Sequence, residues 1–172
     1  MQDQNRCDDI DINIRAGSFL LARTVTACAH CRAPTRVAAL VVPPGHMALE
    51  LDDEAENEST ALDAWRPASH YAFLFHVEFL SSRVQNRLSH VAPLLRPLET
   101  DGGVHWCNHC ERCGAVLDDH ELFCEPDGAF LPTSESSAGR IELLLIDAAF
   151  AAAAGGYSDE PPFFAAMRQE LT

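Results

Sequence analysis

Residues 71–80 alternate with a period of two. Tyr71, Phe73, Phe75, Val77 and Phe79 share one face, and Ala72, Leu74, His76, Glu78 and Leu80 take the other. That is the period of a β-strand, and the aromatic face is the one expected to pack. Ile10, Ile12 and Ile14 alternate with Asp11 and Asn13 in a shorter strand pattern that Gly17 breaks. Residues 18–26 predict a further strand, as does the Val-rich run 37–42, which Pro43-Pro44-Gly45 closes by denying ladder donors. Residues 140–147 predict a buried strand, although a helix fits an unbroken apolar run equally well.

One segment changes period. Val84, Leu88 and Val91 recur at i, i+4 and i+7, the stripe of an amphipathic helix. Ser81 or Ser82 can cap its start, and Pro93 and Pro97 stop it. Residues 121–124 read as a returning strand, Pro126-Asp127-Gly128 as a turn and residues 134–139 as a small-residue loop. The alanine-rich stretch 148–154 ends at Gly155-Gly156. Pro161 and Pro162 suit a first helical turn, with Phe163, Phe164 and Met167 on one face of a short C-terminal helix. No interdomain linker interrupts the pattern, so residues 1–172 are expected to form one α+β domain with a helical C-terminus.

Cysteine spacing supplies the candidate chemistry. Cys28-Ala29-His30-Cys31 and Cys110-Glu111-Arg112-Cys113 each place two thiols where a tight turn can aim both at one metal ion. Cys107 and Cys110 have the same spacing, so two registers compete for the second pair. Gly114 follows Cys113 and permits the positive φ that such a turn uses, which favours Cys110 with Cys113. Arg32 stands at that place in the first pair and makes it the weaker half. The expected ligand set is therefore Cys28, Cys31, Cys110 and Cys113 around one Zn2+, a closed tetrahedral site. Cys107 is expected nearby without ligating, and Cys7 and Cys124 are read as ordinary single cysteines. Strand, knuckle, strand describes a zinc ribbon. The implied architecture is an antiparallel, zinc-ribbon-centred sheet, with residues 43–100 inserted between the knuckles and carrying the aromatic strand and the helix.

Other motifs add little. The histidines and Cys124 near the second knuckle match no ligand spacing, and Asp118-Asp119 read as turn residues. There is no GxSxG, HExxH, GxGxxG or phosphate-binding loop.

Seven cysteines, an odd number, suit metal ligation in a reducing compartment better than a secreted disulfide framework. The polar start of the chain and the lack of a long apolar run make a cytoplasmic protein the expectation. Twelve basic residues, all Arg, against 26 acidic ones give a net charge of −14. That charge disfavours nucleic acid and anionic membranes, and it favours a protein partner with a basic surface. Residues 50–63 are strongly acidic and read as a solvated loop.

The segment Trp106, Asn108, Cys110-x-x-Cys113-Gly114-Ala115, then Asp119, Glu125-Pro126 and Gly128-Ala129-Phe130, resembles a family of uncharacterised bacterial zinc-ribbon proteins. Thr24-Val25-Thr26-x-Cys28-x-x-Cys31 and Pro43-Pro44-Gly45 extend the resemblance over most of residues 18–147. Asp118 departs from the family's Gly, Phe123 from its His, and His30 from its aromatic residue. The resemblance implies the metal and the four cysteines but no activity. The expected function is thus a structural-zinc protein that acts as a binding or adaptor module. A metal-dependent hydrolase with its site near the second knuckle is the alternative.

Overall fold

The computed structural model describes residues 12–50 and 64–170. The first strand prediction falls partly outside these, as do Cys7 and nearly all of the acidic stretch 50–63. In chain order the elements are β1 (Ile14–Ala16), β2 (Phe19–Ala27), β3 (Pro34–Val42), β4 (Met47–Glu50), β5 (Ala64–Pro67) and β6 (Ala72–Leu80). Helix α1 (Ser82–Val91) follows, then β7 (Leu95–Thr100), β8 (Gly103–His109), β9 (Val116–Leu117), α2 (Asp119–Phe123) and α3 (Glu135–Ala138). The chain closes with β10 (Glu142–Ile146), β11 (Phe150–Ser158), a 3-10 turn at Phe164–Ala166 and β12 (Arg168–Glu170). The α+β class is as expected.

The main sheet runs β12-β10-β2-β3-β6-β11-β1-β4-β5, and β7, β8 and β9 branch from β6 through β8. Its pairs are antiparallel except β10 with β12, which is parallel. The sheet curls strongly. Phe19 on β2 and Phe150 on β11 lie three strands apart, which would be ~14 Å in a flat sheet. Their ring centroids are 5.1 Å apart.

Two cores result, one on each face. Phe19 and Leu21 of β2 join Ala38, Leu40 and Val42 of β3 inside the curl, where Val84 and Leu88 of α1 cover them. Leu20 and Ala22 join Val37, Ala39 and Val41 on the outer face, under Leu122 and Phe123 of α2, Ala138 of α3 and Met167. Burial on both faces is why 37–42 reads as a continuous apolar run.

Several local expectations need correction. In β6 the aromatic face does not pack as one stripe. Phe73 joins the outer core, but Val77 joins the inner one with Ala72 and Leu74. Two irregularities turn the strand: His76 has φ +49°, and the ladder to β11 shifts between Ala153 and Ala154. The alanine-rich stretch, for which the sequence pattern predicts no element, runs into strand β11, since small side chains suit the crowded inner face there. Ala152 and Ala154 are buried in it. Gly156 meets crowding from the other side, since a Cβ there would lie 2.3 Å from the ring of Phe75, which packs on the outer core. In place of a C-terminal helix there is only the 3-10 turn before β12.

Residues 121–123 are helical and Cys124 caps them, because Asp118 starts α2 by accepting from the His120 amide at 2.6 Å. Residues 134–139 hold a short helix, closed by a capping box between Ser134 and Ser137. At α1 the cap residue is Ser81, but its side chain makes no capping bond. Among the described residues, no helix is long and apolar enough to cross a membrane.

Candidate metal centre

The two CxxC motifs close two hairpins with the same backbone design. β2 and β3 pair up to Ala27 with Pro34, leaving residues 28–33 as the loop. β8 and β9 pair up to His109 with Val116, leaving residues 110–115. In the first loop the Cys28 amide donates to Ala33 O at 2.9 Å, and the Arg32 amide to Cys28 O at 2.9 Å. In the second the Cys110 amide donates to Ala115 O at 2.8 Å, and the Gly114 amide to Cys110 O at 3.0 Å. The fifth loop residue is left-handed in both, Arg32 at φ +63° and Gly114 at φ +72°.

The four sulfurs converge. Cys28 Sγ lies 3.8 Å from Cys113 Sγ, and Cys31 Sγ 3.7 Å from Cys110 Sγ. All four lie within 4.8 Å of one another, and no other group of three or more metal-ligating side chains does so among the described residues. A tetrahedron with Zn–S bonds of about 2.3 Å has edges of ~3.8 Å, so both measured contacts have the length of its edges. Each close contact joins the buried first cysteine of one loop to the more exposed second cysteine of the other. Cys28 and Cys110 also belong to the outer core, so the centre is continuous with the packing of the sheet.

Four thiols packed this closely cannot share equal acidity. Cys110 is lowered to about 6, first by the amide of Cys113 and, against the penalty of burial, by the Arg112 amide and the neighbouring thiols. Cys113 is pushed up to about 12. The Ala115 amide favours its thiolate, but burial and the thiols of Cys31, Cys110 and Cys28 outweigh that. A divalent cation removes this conflict by binding all four as thiolates.

Contacts outside the sulfurs tie the two loops together. The Glu111 amide donates to Thr35 Oγ1 at 3.0 Å, and the Glu111 carboxylate accepts from the Arg36 amide and guanidinium at 3.1 Å. This pairing raises Arg36 and lowers Glu111 through the hydrogen bonds between them. Asn108 makes the other tie. It is 2% exposed, accepts from the Ala38 amide at 2.8 Å and donates to Ala38 O at 3.0 Å. Its amide thereby completes the backbone of β3 where β6 no longer pairs with it.

Cys107 lies outside the cluster. Its thiol faces His105 O at 3.8 Å, and burial, then Asp119 and Asp118, raise it. Cys124 is exposed and free. His46 and His109 are buried and hydrogen-bonded, to Pro43 O at 2.9 Å and Cys107 O at 2.9 Å. Asp119 is not a turn residue. Its carboxylate accepts from the His76 amide at 2.8 Å and so braces the irregular point of β6. Burial holds its carboxyl above the usual range. An Asp at the first position of a helix gives no sequence signal for that role. Compared with known proteins, the chain matches no family model, no curated protein and no solved structure.

Proposed function

We propose that this protein is a zinc-stabilised binding module, organised around a ribbon-like pair of knuckles, with a structural rather than catalytic metal. The carrying observation is the set of four sulfurs at tetrahedral edge distances, 3.7 and 3.8 Å. An all-sulfur donor set suits Zn2+ and leaves no vacant position for water, which argues against the hydrolase alternative. Free thiolates suit a reducing, cytoplasmic setting. The metal joins hairpin tips 82 residues apart in sequence (110 − 28), and residues 43–100 lie between them as an insertion. With a net charge of −14, the expected partner is a protein with a basic surface, not a nucleic acid or an anionic membrane.

The decisive experiment is cobalt substitution with metal counting. One metal per chain is expected, with the intense visible bands of a tetrahedral all-thiolate Co2+ site. Weak bands of a five- or six-coordinate site, or spectra that change when a small anion is added, would mean an open position and reverse the assignment. A basic peptide should bind the loaded protein more strongly than an acidic peptide of equal length, and equal binding would remove the partner proposal.

A further inference from the structure

The curled sheet leaves a cavity at its mouth. It has a volume of about 680 Å3, within the ordinary range for small-molecule sites, about 300–1,000 Å3. β2, β3 and β10 form one side, and the segment between α1 and β7 forms the other. The walls are apolar where Val25, Val91, Pro93 and Leu94 face the space. Val25 is 61% exposed there, although it sits in a strand.

The charge of the lining runs against that of the protein. Four of the 12 arginines line this one cavity, Arg23, Arg36, Arg140 and Arg168, against the single carboxylate of Glu142. Glu142 and Glu170 hold Arg23 and Arg168, and Glu111 holds Arg36. Two groups remain unspent. The Arg140 guanidinium has no partner among the described residues. Arg23 Nε is shielded from water and has no acceptor, although Nη2 of the same group is paired. A buried donor without an acceptor calls for an explanation, and a ligand oxyanion would supply one after a small turn of the guanidinium.

We propose that this cavity binds a small amphipathic organic anion, its oxyanion head on Arg140 and Arg23 and its apolar body against Val25, Val91, Pro93 and Leu94. The site goes beyond the metal reading and is independent of the identity of any protein partner. The knuckles nevertheless shape it. Ala38 in its wall is fixed by Asn108, two residues before Cys110, and Arg36 is fixed by Glu111.

The test uses the full chain loaded with metal and two dyes of nearly the same apolar body. One, 8-anilinonaphthalene-1-sulfonate, carries an anionic head, and N-phenyl-1-naphthylamine carries none. The sulfonate should bind saturably at one site per chain and at least about tenfold more tightly than the neutral dye. Octanoate should displace it and octanol should not. Arg140→Ala should weaken the sulfonate at least about fivefold and leave the neutral dye unchanged, because Arg140 is exposed and unpaired and its loss should not disturb folding. Val25→Trp, at the exposed rim, should weaken both dyes.

Equal affinity for the two dyes, or an Arg140→Ala variant that binds the sulfonate like the wild type, would overturn the proposal. So would displacement of the dye by a single-stranded oligonucleotide, which would make the arginines a nucleic-acid surface. Failure of the metal assignment would appear in the metal count and the cobalt spectrum, not in this head-group selectivity.

Discussion

The two knuckles have nearly the same backbone and different surroundings. Each is a six-residue loop with the same two internal hydrogen bonds and a left-handed fifth residue. They diverge immediately outside the loop. After the first, β3 runs for nine residues and is buried on both faces. After the second, β9 lasts two residues and Asp118 starts α2. Before the first, β2 pairs with β3 through backbone alone, whereas β8 reaches β3 through the Asn108 side chain. The loop is therefore a local solution that brings two sulfurs toward one point. How far each strand continues is set by what must be covered beyond it.

If the loops are equivalent halves of one site, breaking either must cost the same. Cys28→Ser and Cys110→Ser should each abolish metal binding and the cooperative thermal transition. Metal binding in small zinc domains is worth roughly 10–16 kcal/mol apparent, comparable with a whole domain's stability. Cys107→Ser should keep both metal and transition. Metal content and melting curves of the three variants decide the matter. Retention of metal by Cys28→Ser alone would reduce the first knuckle to a bystander, and loss by Cys107→Ser would overturn the register of the second.

Asn108 tests the difference between the strands that lead into the loops. Asn108→Ala leaves the buried Ala38 amide and carbonyl without their partner. Each orphaned group costs about 1–3 kcal/mol, so a loss of about 2–6 kcal/mol is expected, with metal still bound. Urea denaturation of the loaded protein measures it. Thr26 stands at the corresponding place before the first knuckle, and Thr26→Ala should cost far less, because β2 there is paired by its own backbone.

These contacts mark what could be read from the sequence. The four cysteines were legible because ligand spacing is local, and Gly114 chose the register through its φ. Strand β6 was legible through its period, and β3 through its apolar run closed by Pro43-Pro44. The helical start at Asp118 was missed, because a capped five-residue helix has too short a pattern to outweigh an apolar triplet. The alanines of β11 carry no periodic signal, so the sequence assigned them no element, and packing on a crowded face decides their strand conformation. The half-turns in β6 depend on His76 and on Asp119, 43 residues away in sequence, and no periodicity can show that. The arginines of the cavity come from β2, β3, β12 and the loop before β10, so they form no cluster along the chain.

A smaller effect separates the loops at their fifth residue. Gly114 takes its left-handed φ without steric cost, whereas Arg32 carries a Cβ in the same conformation. Gly114→Ala should destabilise by about 1 kcal/mol. Arg32→Gly should stabilise by less than about 1 kcal/mol, because relief of strain is partly offset by the greater freedom of glycine in the unfolded chain. Chemical denaturation of the metal-loaded variants reads both signs. If both substitutions destabilise equally, the exposed Arg32 side chain makes a stabilising contribution that its backbone angle hides.

The smallest effect lies where the chain leaves the second knuckle. Asp119 occupies the place that Val37 has after the first knuckle (119 − 37 = 82), and it is a carboxylate largely shielded from water. Burial raises its pKa, the His76 amide and the His76 and His105 rings oppose this, and the Asp118 charge adds to it. The folded pKa therefore lies above the unfolded one. Between the two values the unfolded chain has released a proton that the folded protein keeps. Stability from this group is then greatest in acid, falls as pH rises through that window, and stays at its lower level above the folded pKa. Asp119→Asn keeps an acceptor for the His76 amide and removes the buried charge. Acid also releases the metal in both proteins, so the readable quantity is the difference in Tm between wild type and variant. At neutral pH the variant should melt at or above the wild type, by at most about 4 °C, and its advantage should shrink as pH falls. A variant that melts below the wild type at neutral pH would mean that the charged form is the stabilising one, through His76 and His105, and would give this stretch an electrostatic role that Val37 cannot have.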